Sequence, residues 1–235
     1  MVKDSFLPLV RVLNVFFNPE KTFETLKNGI TWKDVWFPVV ILLIATLVTI
    51  QLTYPVQIKE SRQMIMRMDN LTDQQKEAML DRISGDKDTA PAQSLIIGGV
   101  TPLVTAFFIA AVYLFVGNFF GGGNAKYWML FAVTLHINMV DVLSSIVKVP
   151  LMLAQKTMMV HTSLAILFDK ADLSNVWFRI AMQADLFRVW KLILWMIAFR
   201  VIYKYSAQKS LVLTGIIWVF ASVLMVILQG LSPMA

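Results

Sequence analysis

Cysteine is absent from all 235 residues. That excludes disulfides, thiolate metal sites and cysteine nucleophiles. Histidine is nearly absent: His136 and His161 are the only two. They lack the His-x-x-x-His or Glu-x-x-His spacing of a metal centre, and no metal or other cofactor is expected. Charge is also scarce. Asp, Glu, Lys and Arg make up 15% of the chain, where a soluble domain carries about 25%. An ordinary cytosolic domain, a disordered chain and a secreted disulfide scaffold are all excluded. There is no internal repeat and no low-complexity tract.

What remains is apolar and segregated. Hydrophobic residues reach 57%, with a positive mean hydropathy. They collect in runs long enough to cross a bilayer, which takes roughly 20 residues as a helix. The expected fold is an all-α polytopic membrane bundle with about five spans, over residues 35–56, 95–119, 127–149, 186–205 and 210–232. The third run carries one charge, Asp141. The fourth carries Arg188, Lys191 and Arg200 near its ends, where long side chains snorkel. Residues 150–184 read as an interfacial segment, with an interfacial or partly buried helix over 149–168. A sixth span there is the alternative. Trp32, Trp36, Tyr54, Tyr127, Trp128, Tyr203 and Tyr205 fall at run ends, where an aromatic belt belongs.

Residues 1–34 read as two amphipathic helices rather than a signal peptide, because Pro8, Arg11 and Asn14 interrupt the apolar stretch. In the first, Phe6, Leu9, Val10, Leu13, Phe16 and Phe17 are expected to face lipid. Asn18, Pro19 and Glu20 open the second, and Gly29 stops it. The loop 57–94 reads as a polar helical hairpin. One helix is expected from Ile58 to Met68. Another is expected from Thr72, which starts a Thr-x-x-Gln capping box, to a stop at Gly85. Met64, Met66 and Met68 are soft-metal donors. Alternate residues do not share a helix face, so a packing or docking surface is the better reading.

The third run carries the strongest pattern. Thr134, Asn138, Asp141, Ser145 and Lys148 step by 4, 3, 4 and 3, so a straight helix puts all five on one face. A charge at mid-span costs about 2.5–3.5 kcal/mol, so Asp141 needs a partner, and Arg188, Lys191 and Lys148 are the candidates. The stripe is either a polar clasp between helices or a cavity for a proton, ion or headgroup. Ser144, His136 and Asp141 share a helix and cannot form a catalytic triad. Gly121 to Lys126 lacks the P-loop pattern and reads as a flexible turn.

Three ordered motifs carry a resemblance. The first is Asn18, Pro19, Thr22, Phe23, Trp32 and Pro38. The second is the Gly121-Gly122-Gly123-Asn124-Ala125-Lys126 turn. The third runs from His161 to Asn175 and leads into Asp185-Leu186-Phe187-Arg188-Val189-Trp190. In this order they resemble the YIP family of Ypt/Rab-interacting membrane proteins, and the polar first loop resembles its bacterial branch. The resemblance implies five spans, a cytoplasmic N-terminus and a fold-determining role for Asp185, Phe187 and Trp190. Lys and Arg are more numerous on the opposite side, so the positive-inside rule gives that orientation no support. The expected function is a non-catalytic integral membrane protein, in the bacterial inner membrane, scaffolding or regulating a transport or envelope complex. The alternative is a small transporter or lipid-handling protein using the stripe around Asp141. The expected partners are the lipid bilayer and a membrane protein or a second copy, not nucleic acid.

Overall fold

A computed structural model describes residues 7–68, 71–83, 90–168 and 172–231. The expected lipid contact of Phe6 and the stop at Gly85 lie outside the described residues. Helix α1 (Leu7–Phe17) leads directly into α2 (Pro19–Asn28). The Asn18 side chain accepts the Lys21 amide and Pro19 opens the first turn, as local capping chemistry dictates. Leu9, Val10, Leu13 and Phe17 are exposed. Val12 and Val15 are buried against the bundle, so α1 is docked by one face.

Helix α3 (Lys33–Arg67) is 35 residues long, about 52 Å at 1.5 Å per residue. It overshoots a hydrocarbon core of about 30 Å by several turns. Residues 58–67 are helical as expected, but they continue the first span rather than forming a separate helix. Pro38 and Pro55 lie inside the helix. A proline removes one intrahelical bond, and no glycine follows Pro55 before Gly85 to stop propagation. Helix α4 (Asp73–Arg82) then folds back, with the Thr72–Gln75 capping box made in both directions. The Lys76 ammonium donates to the Met66 carbonyl at 3.3 Å, tying α4 to the end of α3.

Helix α5 (Ala92–Phe115) packs beside α3, with Gly98 facing Ile50 and Gly99 facing Leu43 and Leu47. It continues as a π-helical turn, Val116–Phe120, into the glycine-rich turn. Helices α6 (Tyr127–Ile137) and α7 (Met139–Gln155) follow. The sequence reads them as one helix, but the chain breaks at Asn138, where ψ is −8° and the Asp141 amide bonds the Asn138 carbonyl at 2.9 Å. Of the helix expected over 149–168, only residues 149–155 are α-helical. Helix α7 runs past Pro150 and ends at Gln155, where Lys156 turns left-handed at φ 54°. A loop and a 3-10 turn, Leu164–Leu167, complete that segment. Helices α8 (Val176–Gln183), α9 (Leu186–Tyr203) and α10 (Ala207–Gly230) are capped by Asn175, Asp185 and Ser206.

Four stretches are long and apolar enough to cross a membrane: Lys33–Arg67, Ala92–Phe120, Tyr127–Gln155 and Ala207–Gly230. Helix α9 has 18 residues, about 27 Å, and runs between the same two ends of the bundle with three charges along it. The Tyr127–Gln155 stretch buries more than half of its most apolar window, whereas the other three bury less than a fifth of theirs. It is therefore the centre. Leu130, Val133, Leu135 and Ile137 are fully enclosed by α1, α2, α3, α5 and α9. The Tyr113 ring stacks on Trp195 at 3.5 Å, which seats α5 on α9.

At the end where α1 and α2 dock, the glycine-rich turn is held, not flexible. The rings of Tyr203 and Tyr205 stack 5.0 Å apart. A Cβ on Gly117 or Gly123 would run into the Tyr203 ring, and one on Gly121 into the Tyr205 hydroxyl. Gly122 sits at φ +71°, the left-handed region that glycine adopts freely. The Tyr205 hydroxyl donates to the Gly117 carbonyl and Lys209 to that of Gly121, each at 2.7 Å. Gly123→Ala is expected to cost about 1–3 kcal/mol by overpacking. In detergent its Tm should fall below wild type, while Gly215→Ala, with open space around its Cβ, should not lower it. Equal Tm values for the two variants would contradict the close approach.

Candidate functional site

The charges of α7 and α9 meet in pairs. Lys191 lies 2.8 Å from Asp141, and Lys148 lies 2.9 Å from Asp185. The first pair is open: the Asp141 side chain is 54% exposed. The second is enclosed, its carboxylate only 9% exposed. Asp185 is held from four directions. Its Oδ1 accepts the Phe187 and Arg188 amides at the start of α9, at 3.0 and 3.3 Å. Its Oδ2 accepts the Lys148 ammonium and the Thr162 hydroxyl, at 2.9 and 2.5 Å. One carboxylate thus joins α7, the 156–163 loop and the N-terminus of α9. Burial pushes this carboxyl up. The bonds from Thr162 and Lys148, the lysine charge and the Arg188 amide outweigh that and hold it below the usual carboxylate range.

The break at Asn138 divides the stripe. Thr134 stays on α6, fully buried, with its hydroxyl bonded to the Leu130 carbonyl at 2.7 Å. Asn138, Asp141 and Ser145 line a cavity of about 200 Å³ with Lys191, Thr46 and Thr105. The Ser145 hydroxyl donates to the Asp141 carbonyl at 3.0 Å. Lys148 turns instead to a second cavity of about 310 Å³, shared with His161, Thr162, Gln183, Asp185 and Arg188. Asp141 borders both cavities. Arg188 pairs with neither carboxylate side chain: its guanidinium donates to the Gln183 side-chain oxygen. The Asp185–Trp190 motif splits three ways. Asp185 caps α9, Phe187 is buried beneath the Lys148 ammonium, and Trp190 meets Phe16 of α1 edge-on at 5.8 Å.

A second polar centre is not apparent from the sequence pattern. Arg11 pairs with Asp34 at 2.6 Å, and the Asp34 side chain is wholly buried. The Thr31 amide and hydroxyl complete its shell at 2.8 and 2.7 Å. His136 is fully buried, its Nδ1 2.8 Å from the Ala132 carbonyl, and its Nε2 has no partner among the described residues. The Thr31-x-x-Asp34 spacing at a helix start was the local signal. Arg11 lies 23 residues away and gave none. Among the described residues no three His, Asp or Glu side chains gather as a metal cluster would require.

A centre of packed helices, apolar outer faces and polar groups paired inward define the class, a helical bundle protein of the membrane. The chain belongs to the YIP family: the family model described as the Yip1 domain matches residues 13–228. Comparison with curated proteins and with solved structures gives no match.

The two ion pairs have different weights. Asp185→Ala removes a cap, typically about 1 kcal/mol, and leaves Lys148 without its partner in a half-enclosed site. It should lower Tm clearly more than Asp141→Asn. The exposed Asp141–Lys191 pair should give a coupling of about 0.6 kcal/mol in a double-mutant cycle with Lys191→Met, read by unfolding in mixed micelles. A coupling several times larger would contradict the clasp reading of that pair.

The depressed Asp185 carboxyl sets a pH dependence. Its contribution is complete above the unfolded value of about 4 and is lost as pH falls through the lower folded value. The wild-type acid limb of Tm should therefore flatten in Asp185→Asn. An unchanged acid limb would show that this carboxylate is not the group titrating.

Proposed function

We propose that this chain is a non-catalytic integral membrane protein of the bacterial YIP branch, scaffolding or regulating a membrane transport or envelope complex. In this reading it lies in the inner membrane with α1 and α2 on the cytoplasmic side. The observation that carries it is the head formed by the overshoot of α3 and by α4. This head is tied to the loop after α7 by Glu60, whose carboxylate accepts the Met158 amide at 3.0 Å, and exposes apolar side chains outside the spans. Met66 is 61% and Met79 39% exposed. Flexible, polarizable methionine suits such a surface to partner docking. The carboxylates of the α7–α9 crevice are engaged in holding helices together, which supports a structural rather than a chemical role for the bundle.

The test is recovery of the tagged full-length chain from its native membranes in gentle detergent, followed by native electrophoresis. The expected result is a complex larger than the 26.7 kDa protomer in its micelle, with a stoichiometric membrane partner or a second copy. The double substitution Met66→Glu, Met79→Glu should weaken that association about tenfold, equivalent to about 1.4 kcal/mol, without moving Tm. A lone protomer from wild-type membranes would overturn the reading.

A further inference from the structure

The break at Asn138 leaves a polar group that the bundle itself does not use. Asn138 stands at the N-cap of α7 but makes no capping bond, and its side-chain amide has no hydrogen-bond partner among the described residues. The residue is only 6% exposed and lines the cavity of about 200 Å³ between α3, α5 and α7. Its amide is open to that space, unlike the His136 Nε2, which is sealed. Thr46 of α3 and Thr105 of α5 line the other walls, and their hydroxyls also make no hydrogen bond among the described residues. Buried polar groups without a protein partner are normally satisfied by ordered water.

The charge of the lining selects the ligand. Asp141 and Lys191 are its charged members, and they pair with each other at 2.8 Å. The wall is therefore neutral, while amide, hydroxyls and ion pair together offer both donors and acceptors. A small neutral molecule that donates and accepts fits such a wall. Water does both, and at about 30 Å³ of liquid volume each, several molecules fit.

The cavity also leads to the surface. Asp141 borders the second cavity, of about 310 Å³, at the end of the bundle where α9 starts. Lys148 and Arg188 there are balanced by Asp141 and Asp185, so this space too is polar without net charge. From Lys148 back to Asn138 the chain covers about 15 Å of helix. That is half of a hydrocarbon core of about 30 Å. On the other side of the break the packing closes: Thr134, Leu135, His136 and Ile137 expose no surface. Polar lining runs from one end of the bundle to its middle and stops.

We propose that the two cavities form a water-filled half-channel, entered at the start of α9 and closed at Asn138. Its water hydrates the Asp141–Lys191 pair and satisfies the Asn138 amide and the Thr46 and Thr105 hydroxyls. Asp141 stands where the two cavities join. An ionisable side chain in a span that faces water marks a path for protons or ions, and this one is reached from one side only. The half-channel is separate from the head on α3 and α4, so partner docking and water entry can fail independently.

A chain without cysteine supplies the test. Single-cysteine variants of the full-length chain, in lipid nanodiscs, are treated with sulfonatoethyl methanethiosulfonate. This charged reagent attacks the thiolate, and a thiol in apolar surroundings does not ionise. Thr105→Cys and Ser145→Cys report the inner cavity and Ser144→Cys the outer one. Val104→Cys is the control, because Val104 is 46% exposed and lies outside both linings. The two inner variants should react at least about tenfold faster than Val104→Cys. Equal rates would overturn the proposal.

The route is tested by a plug. Ser144→Trp, which fills the outer cavity, should slow Thr105→Cys to the rate of Val104→Cys and leave Met79→Cys of the head unchanged. An unslowed Thr105→Cys would put the entry between α3 and α5 and overturn the path. Should Ser144→Trp fail to fold, the order of rates decides, since Ser144→Cys slower than Thr105→Cys also overturns the path. Asn138→Leu should slow the inner variants and spare Ser144→Cys. No change at either depth would overturn the role of the Asn138 amide.

Discussion

A carboxylate at the edge of a bilayer must be solvated by the protein, because there is too little water to do it. Asp185 meets that requirement with two backbone amides, a hydroxyl and an ammonium. Inside a membrane, burying leucine against leucine gains little over burying it against lipid. Helices are then held by dispersion in close packing and by polar pairs. Asp185 supplies the polar pair for α7 and α9, and at the same time terminates the orphan amides of α9. If it is lost, the 156–163 loop, the α9 start and the Lys148 end of α7 all lose a common anchor.

The opposite end of the bundle solves the same problem by a different route. There α1 and α2 dock through the buried Arg11–Asp34 pair and the Lys27 ammonium, which donates to the Val201 carbonyl at 2.6 Å. The Val201 carbonyl lies in the last turn of α9, where the helix dipole favours a cation. Tyr203, Tyr205 and Lys209 then pin the glycine-rich turn. Removing one member of a buried pair typically costs 3–5 kcal/mol, because the other is left charged and enclosed. Arg11 therefore ties an N-terminal helix to the membrane bundle with more strength than its place in an amphipathic sequence suggests.

Local chemistry was legible in the sequence and long-range chemistry was not. Asn18 with Pro19, and Thr72 with Gln75, are caps decided within four residues. A reader of the sequence finds them because nothing distant competes. The apolar runs were legible for the same reason, since lipid solubility is a property of a segment. The continuity of α3 through Pro55 was hidden, because a proline reads as a boundary when it costs only one bond in a long helix. The division of the Thr134–Lys148 stripe was hidden by the assumption of one straight helix. A ψ of −8° at Asn138 is enough to move Thr134 into the core and leave Asp141 at the surface.

The pairing of charges shows why spacing alone misleads in a bundle of this kind. Asp185 and Arg188 stand three apart, and helix arithmetic makes them partners. Asp185 instead takes the Arg188 backbone amide, because an N-cap carboxylate is turned back along its own helix. That turn presents its second oxygen to Lys148, 37 residues away in sequence. The Arg188 guanidinium turns instead to the Gln183 side-chain oxygen, and among the described residues no carboxylate pairs with it. The capping of α9 and the pairing of Lys148 are thus one event: the geometry that stabilises the helix start is also what ties α9 to α7.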